Sequence, residues 1–184
     1  MPTTAEVLAL IGAMPARYQL TLVLAGLGGL RMDEVLGLRL ADVDTLRSAV
    51  HIRQTAQEVP KLRRGVKDPK SHAGRRTVVL PRQAMEAIVG HVEVFGCAAA
   101  GELVTDPRGG PATARRARVS AGWPQVKAPV GVDPAMHPHD LCHHAASPGA
   151  LPRASREATV SGTRGICAGS ETARRSGSRS DKVP

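Results

Sequence analysis

The chain has 184 residues, enough for one domain with a hydrophobic core, and only 2% are aromatic, so chemistry that requires a tyrosine depends on the single Tyr18. The 25 Lys and Arg exceed the 16 Asp and Glu and give a net charge of +9, which favours a polyanionic partner, nucleic acid before an anionic membrane. Three scattered cysteines exclude a disulfide framework and indicate a reducing cytosol, and we expect neither a signal peptide nor a transmembrane helix.

The first half of the chain predicts three helices followed by a β-hairpin. A threonine–glutamate capping pattern predicts a helix over residues 3–13, and the almost wholly apolar run 16–29 predicts a buried second helix. A short third helix follows Arg31. Alternating apolar residues predict strands over 48–59 and 76–80, and the segment between them is rich in Gly, Pro and basic residues. We interpret the pair as a hairpin with a long basic tip.

The second half begins with regular structure and loses it towards the end. Helical spacing predicts a helix over 82–95, whereas 96–135 is interrupted by Gly and Pro and accommodates one helix over 112–122. Residues 137–147 have the pattern of a helix start. Residues 148–184 contain too few large apolar side chains to offset the entropy of ordering, which predicts a disordered basic tail.

Three separated segments carry residues that could act together. They are LAGLGGLRMDEVLGLRLADVD (24–44), DPKSHAGRRTVVLP (68–81) and HPHDLCHHAAS (137–147). In this order they resemble the catalytic domain of the tyrosine recombinases, the phage-integrase family, whose pattern is roughly TGLRxGELLGLRWxDVD, PKTxxSRRTVPLP and HDLRHTAAS. The resemblance covers residues 3–147 and is specific because three motifs occur colinearly.

The resemblance implies a fold and a function. The fold is α+β, mainly helical with a small antiparallel sheet. The function is site-specific recombination and integration of double-stranded DNA, without a cofactor and without a membrane partner. It also implies assembly of a homo-oligomer on DNA and a cytoplasmic, nucleoid-associated location.

The resemblance also implies roles for individual residues. In the family a tyrosine attacks the scissile phosphate, and paired arginines neutralise the charge that develops on its oxygens. Arg31 matches the first arginine, Glu34 would support it, and Lys70 matches the lysine that protonates the leaving 5′ oxygen. His139 matches the proton-transfer histidine, and His143 belongs to the same motif. Further candidate DNA-backbone contacts are Arg63, Arg64, Lys67, Arg75 and Arg76.

Some of these residues also have simpler interpretations. Glu34 is equally consistent with a structural carboxylate at a helix start, and Arg75 and Arg76 with charges at a strand edge. Lys61 and Lys67 compete with Lys70 for the position of the family lysine.

Two departures from the family pattern predict a catalytically inactive chain. Cys142 stands where the family has its second arginine, and residues 148–184 contain no His, Trp or Tyr. Residues 148–152 and 173–179 have permitted codons that, in a reading frame shifted by one base, can encode Leu-Ala-Leu-Ser and Leu-Asp-Val-Ala-Asp-Leu. We therefore interpret 1–147 as an incomplete integrase-like catalytic domain and 148–184 as an out-of-frame tail. Without the family's later helices, helix 16–29 is expected to expose an apolar face.

Two other functions remain open. One is a non-catalytic DNA-binding fragment. The other is metal binding by a histidine–cysteine cluster, because positions four apart on a helix share a face and imidazole and thiolate are zinc ligands. The family motif accounts for His139 and His143 without a metal, so no metal is expected. The members of the cluster are His137, His139, Cys142, His143 and His144.

Overall fold

The computed structural model describes residues 2–57, 65–67 and 75–145. Within these ranges seven α-helices account for most of the regular structure. They are α1 (Thr4–Ala13), α2 (Ala16–Gly26), α3 (Met32–Gly37), α4 (Arg82–Phe95), α5 (Ala114–Ala121), α6 (Trp123–Lys127) and α7 (Asp140–His144).

Two small antiparallel sheets follow α3. The strands are β1 (Val43–Asp44), β2 (Ala49–Ile52), β3 (Thr55–Gln57), β4 (Gly65–Lys67) and β5 (Arg76–Val79). One sheet has the order β1-β2-β5, with Val50 opposite both Val43 and Val78, and the other pairs β3 with β4. The α+β fold, mainly helical with a small antiparallel sheet, is confirmed.

The first helix begins as its sequence predicts. The Thr3 hydroxyl accepts a hydrogen bond from the Glu6 backbone N–H at 3.2 Å, and the Glu6 carboxylate accepts one from the Thr3 backbone N–H at 2.6 Å. This reciprocal pair satisfies two N–H groups that a helix start would otherwise leave without partners.

Helix α2 lies at the centre of the core. It packs against α1, α3, α4 and α7, and its apolar side chains Leu20, Leu22, Val23 and Leu24 are all buried. The expectation of an exposed apolar face on this helix is therefore wrong for the described residues, because four helices cover it. At about 1.5–3 kcal/mol for each fully buried large apolar side chain, α2 contributes much of the domain's hydrophobic stabilisation.

The remaining differences from the predicted elements are local. Helix α2 ends at Gly26 rather than at 29, and the predicted strand 48–59 is divided between β2 and β3, which belong to different sheets. The antiparallel pairing of β2 with β5 and the helix 82–95 are confirmed. Helix α5 lies within the segment predicted to accommodate a helix, and α6 was not predicted.

Several predictions lie outside the described residues. They concern Arg63, Arg64, Lys70 and the tail 148–184, and for Lys67 only the backbone is described. Among the described helices none is both long enough and apolar enough to cross a bilayer.

Candidate functional site

Arg31 is presented by a sharp turn between α2 and α3. Gly29 adopts a left-handed conformation with φ of 68°, and the Leu30 N–H donates back to the Leu24 carbonyl oxygen at 3.1 Å. Leu30 is fully buried and anchors the turn in the core. The next residue, Arg31, has extended backbone at the start of α3 and is exposed. The turn thus fixes the backbone of Arg31 while its side chain reaches solvent.

Glu34 is a buried carboxylate whose hydrogen bonds are supplied from two sides. Its Oε2 accepts the Arg31 backbone N–H at 2.9 Å. The Arg76 guanidinium donates Nη1 to Oε1 at 2.5 Å and Nη2 to Oε2 at 2.9 Å, a bidentate ion pair. The Glu34 side chain is only 4% exposed and that of Arg76 is 36% exposed. Glu34 is therefore a structural carboxylate at the start of α3 that also supports the position of Arg31, because it ties the Arg31 backbone to β5 through Arg76.

The third motif forms a compact cluster at α7. His139 precedes the helix, and its Nδ1 lies 3.8 Å from the Cys142 Sγ. The Cys142 thiol donates to the His139 carbonyl oxygen at 2.8 Å, and the His139 and His143 rings meet edge to face with centroids 5.3 Å apart. One ligand atom from each of these three residues lies within 4.8 Å of the others.

The Arg31 turn and the α7 cluster lie against each other. A side chain at Gly29 would place its Cβ 3.3 Å from the Ala145 Cβ and 3.8 Å from the Cys142 carbonyl oxygen. Burial raises the pKa of the Cys142 thiol, the positive charge of Arg31 acts to lower it, and the negative charge of Glu34 acts to raise it. The structure thus brings these two motifs together, and Arg76 of the remaining motif (68–81) is joined to them by its ion pair with Glu34.

The histidines of the α7 segment have separate environments. His144 is buried, and its Nδ1 lies 3.1 Å from the Pro2 carbonyl oxygen while its Nε2 lies 3.4 Å from the Thr4 hydroxyl. His137 is exposed, and its backbone N–H donates to Asp140. Of the five predicted cluster residues, three therefore converge.

Tyr18 lies in the core. Its side chain is 3% exposed on α2, and its hydroxyl has no hydrogen-bond partner among the described residues. A phenol in this position cannot reach a DNA phosphate unless α2 leaves the core.

Arg76 has a role that the sequence interpretation missed. The sequence predicts a DNA contact or a strand-edge charge for Arg76, and the structure adds an ion pair between its guanidinium and Glu34. The sequence signal that could have indicated this role is the period-two pattern of β5. In this strand Arg76 and Val78 are partly buried and alternate with the exposed Thr77 and Val79. Arg75, just before β5, is exposed.

Comparison with solved structures defines the fold. An integrase of the transposon Tn1549, in complex with a circular intermediate DNA, matches with a TM-score of 0.68 at 17% identity over 78% of this chain and 51% of that one. XerA recombinase matches with a TM-score of 0.59 at 18% identity, covering 79% and 48%. The catalytic core of lambda integrase matches with a TM-score of 0.54 at 16% identity, covering 78% and 79%.

The fold is that of the catalytic domain of tyrosine recombinases, as the sequence resemblance implied. The chain spans about half the length of the Tn1549 integrase and XerA chains that it matches. No protein-family model and no curated protein sequence matches the chain.

Proposed function

We propose that this chain is a recombinase-like domain that binds the phosphate backbone of double-stranded DNA through Arg31 and does not cleave it. The observation that carries the proposal is the pairing of Glu34 with Arg76, which leaves the exposed Arg31 guanidinium available to an external anion.

The charge balance around Arg31 supports this assignment. The two acids nearest to it in sequence are Asp33 and Glu34, and both oxygens of Glu34 already accept from Arg76. Within the described ranges Arg31 makes no ion pair of its own. A phosphate diester offers a guanidinium two acceptor oxygens in a geometry that it can bind bidentately. The net charge of +9 adds a sequence-independent attraction for DNA.

Two residue identities argue against strand cleavage. The only tyrosine of the chain, Tyr18, is buried, so the nucleophile implied by the resemblance is missing from these 184 residues. Cys142 replaces the second arginine and cannot supply a bidentate positive charge. Loss of such an arginine in phosphoryl transfer costs on the order of 10³–10⁵ in rate. The chain is therefore proposed to bind DNA as a non-catalytic descendant of an integrase.

The other assignments from the resemblance belong to the same proposal. His139 and His143 would face the bound phosphate beside Arg31, and Lys70 would approach it from the basic segment between β4 and β5. Assembly of several copies on DNA and association with the nucleoid are implied by the resemblance and are part of the same proposal.

The test is a titration of a fluorescent DNA duplex with the full chain at several salt concentrations. We expect the logarithm of the affinity to fall linearly with the logarithm of salt concentration. Replacement Arg31→Ala is expected to weaken binding to all duplex sequences alike and to reduce the salt slope by about 1, since one phosphate contact is lost.

The matched control is Arg47→Ala, which removes the same charge from the turn between β1 and β2. Arg47 is 81% exposed and paired with Asp44, so we expect a much smaller effect on affinity. Equal affinities of the wild type and Arg31→Ala, or binding that is insensitive to salt, would contradict the proposal.

A further inference from the structure

We propose that His139, Cys142 and His143 form a binding site for a zinc-type divalent cation, with one coordination position left for water or an anion. The residue that replaces the family arginine would thereby become a metal ligand.

The donor set fits zinc. Zn²⁺ binds imidazole nitrogen and thiolate sulfur, and sites with three protein ligands keep a fourth position open. The three residues occupy positions i, i+3 and i+4, which share one face at a helix start.

The distances are close to those of a coordinated set. With Zn–N near 2.0 Å and Zn–S near 2.3 Å, tetrahedral ligand atoms lie about 3.3–3.6 Å apart. The Cys142 Sγ to His139 Nδ1 distance is 3.8 Å, and the three ligand atoms lie within 4.8 Å of one another. His139 and His143 are exposed, so rotation of their side chains can close a gap of about 1 Å without disturbing the core.

The structure selects three ligands from the five residues of the histidine–cysteine cluster. Five His and Cys residues between 137 and 144 are more than one helix face can present. His144 is directed into the protein, where both ring nitrogens lie near polar atoms of the α1 start. His137 stands outside the cluster, which leaves three ligands on one face.

Metal binding exchanges the proton of the Cys142 thiol for a sulfur–metal bond. The Cys142 thiol releases its proton to solvent, its hydrogen bond to the His139 carbonyl breaks, and a sulfur–metal bond forms. The two imidazoles bind through neutral nitrogen. A divalent ion with one thiolate leaves a net charge of +1 beside Arg31.

That charge has a consequence for DNA. Metal loading would restore a second positive group next to Arg31, where the family has its second arginine. This consequence rests on the proposed function, whereas the metal site itself does not.

The experiment is a titration of the reduced, metal-free full chain with Co²⁺, followed by displacement with Zn²⁺. We expect one Co²⁺ per chain, a thiolate-to-cobalt charge-transfer band and visible bands of tetrahedral intensity. Replacement Cys142→Ser should abolish the charge-transfer band. Replacement His143→Ala should weaken binding by more than the roughly 10-fold lost with a supporting second-shell group.

Two controls keep the result interpretable. The double variant Cys97→Ser, Cys167→Ser removes the other cysteines and should retain the band. The variant Cys142→Arg introduces the family residue and should show wild-type circular dichroism without binding cobalt. A folded wild type that binds no Co²⁺, or a band that persists in Cys142→Ser, would overturn the site.

A second titration separates the metal site from the DNA proposal. We expect Zn²⁺ to raise the duplex affinity of the wild type and to leave that of Cys142→Ser unchanged. If the chain binds cobalt but Zn²⁺ does not change its DNA affinity, the metal site stands and the proposal that the metal restores a positive charge for DNA binding is refuted. The loss of DNA affinity in Arg31→Ala, measured in the absence of metal, tests the proposed function separately.

Discussion

The pairing of Glu34 with Arg76 should be the strongest single ion pair among the described residues, and a double-mutant cycle measures it. The variants are Glu34→Gln, Arg76→Met and their combination. Two charge-assisted hydrogen bonds are worth about 1.5–3 kcal/mol each when dry, but Arg76 is 36% exposed and water replaces part of what is lost. We therefore expect a coupling energy of about 2 kcal/mol. Arg76→Met alone should cost about 3 kcal/mol, because it leaves a buried carboxylate without its cation.

The chain contains a matched control for this cycle. Arg82 and Glu86 form an ion pair with an Nε–Oε1 distance of 2.7 Å, but their side chains are 77% and 59% exposed. The cycle of Arg82→Met and Glu86→Gln should give about 0.3–0.5 kcal/mol. The assay is urea unfolding followed by circular dichroism. Equal coupling energies for the two pairs would refute the argument that burial gives the Glu34–Arg76 pair its strength.

The Glu34–Arg76 ion pair is expected to affect DNA binding as well as the free energy of unfolding. When Arg76 is replaced by Met, the Glu34 carboxylate becomes free to pair with the Arg31 side chain. Arg76→Met should therefore weaken DNA binding under conditions where the protein is still folded. The double variant with Glu34→Gln should recover part of the affinity, since the competing charge is gone.

Three further outcomes follow from local geometry. Thr3→Ala should lower the free energy of unfolding by about 1 kcal/mol in urea, since it removes a helix cap. Gly29→Ala should cost at least about 1–2 kcal/mol in the same assay, because the residue is left-handed and its Cβ would press on Ala145, directly after α7. Burial lowers the pKa of His91, opposed by its hydrogen bond to the Leu103 carbonyl oxygen and reinforced by Arg17. The unfolded chain then binds protons more readily, so stability should fall as pH drops below about 6.5, and less steeply in His91→Gln.

Elements with local signals could be predicted from the sequence. The capping pattern at Thr3 and Glu6 fixed the start of α1, and the apolar spacing in residues 82–95 matched α4 at both ends. Helix α6 lacked such a signal. It has five residues, contains Pro124 near its start and follows a left-handed Gly122, so its sequence resembles a turn. Its order comes from Trp123, which is buried and donates to the Met136 carbonyl oxygen at 3.0 Å.

The residues of the candidate site likewise differ in how far the sequence predicts them. Arg31, Glu34 and His139 could be singled out because they lie in motifs that are contiguous in sequence. The partner of Glu34 could not, because it lies 42 residues away and several arginines of the basic segment compete for that place. The selection among the clustered histidines also depends on tertiary packing, since His144 is withdrawn by contacts with residues 140 or more positions earlier. The catalytic role of Lys70 stays a prediction.

The most direct test of the central claim is one incubation of the full chain with a phosphorothioate suicide duplex, analysed on native and on denaturing gels. The account predicts a shifted complex on the native gel and no protein-linked DNA on the denaturing gel. Protein that remains covalently attached to DNA would show that the chain carries a nucleophile and would contradict the account. A duplex that is not shifted on the native gel would contradict the proposed binding through Arg31.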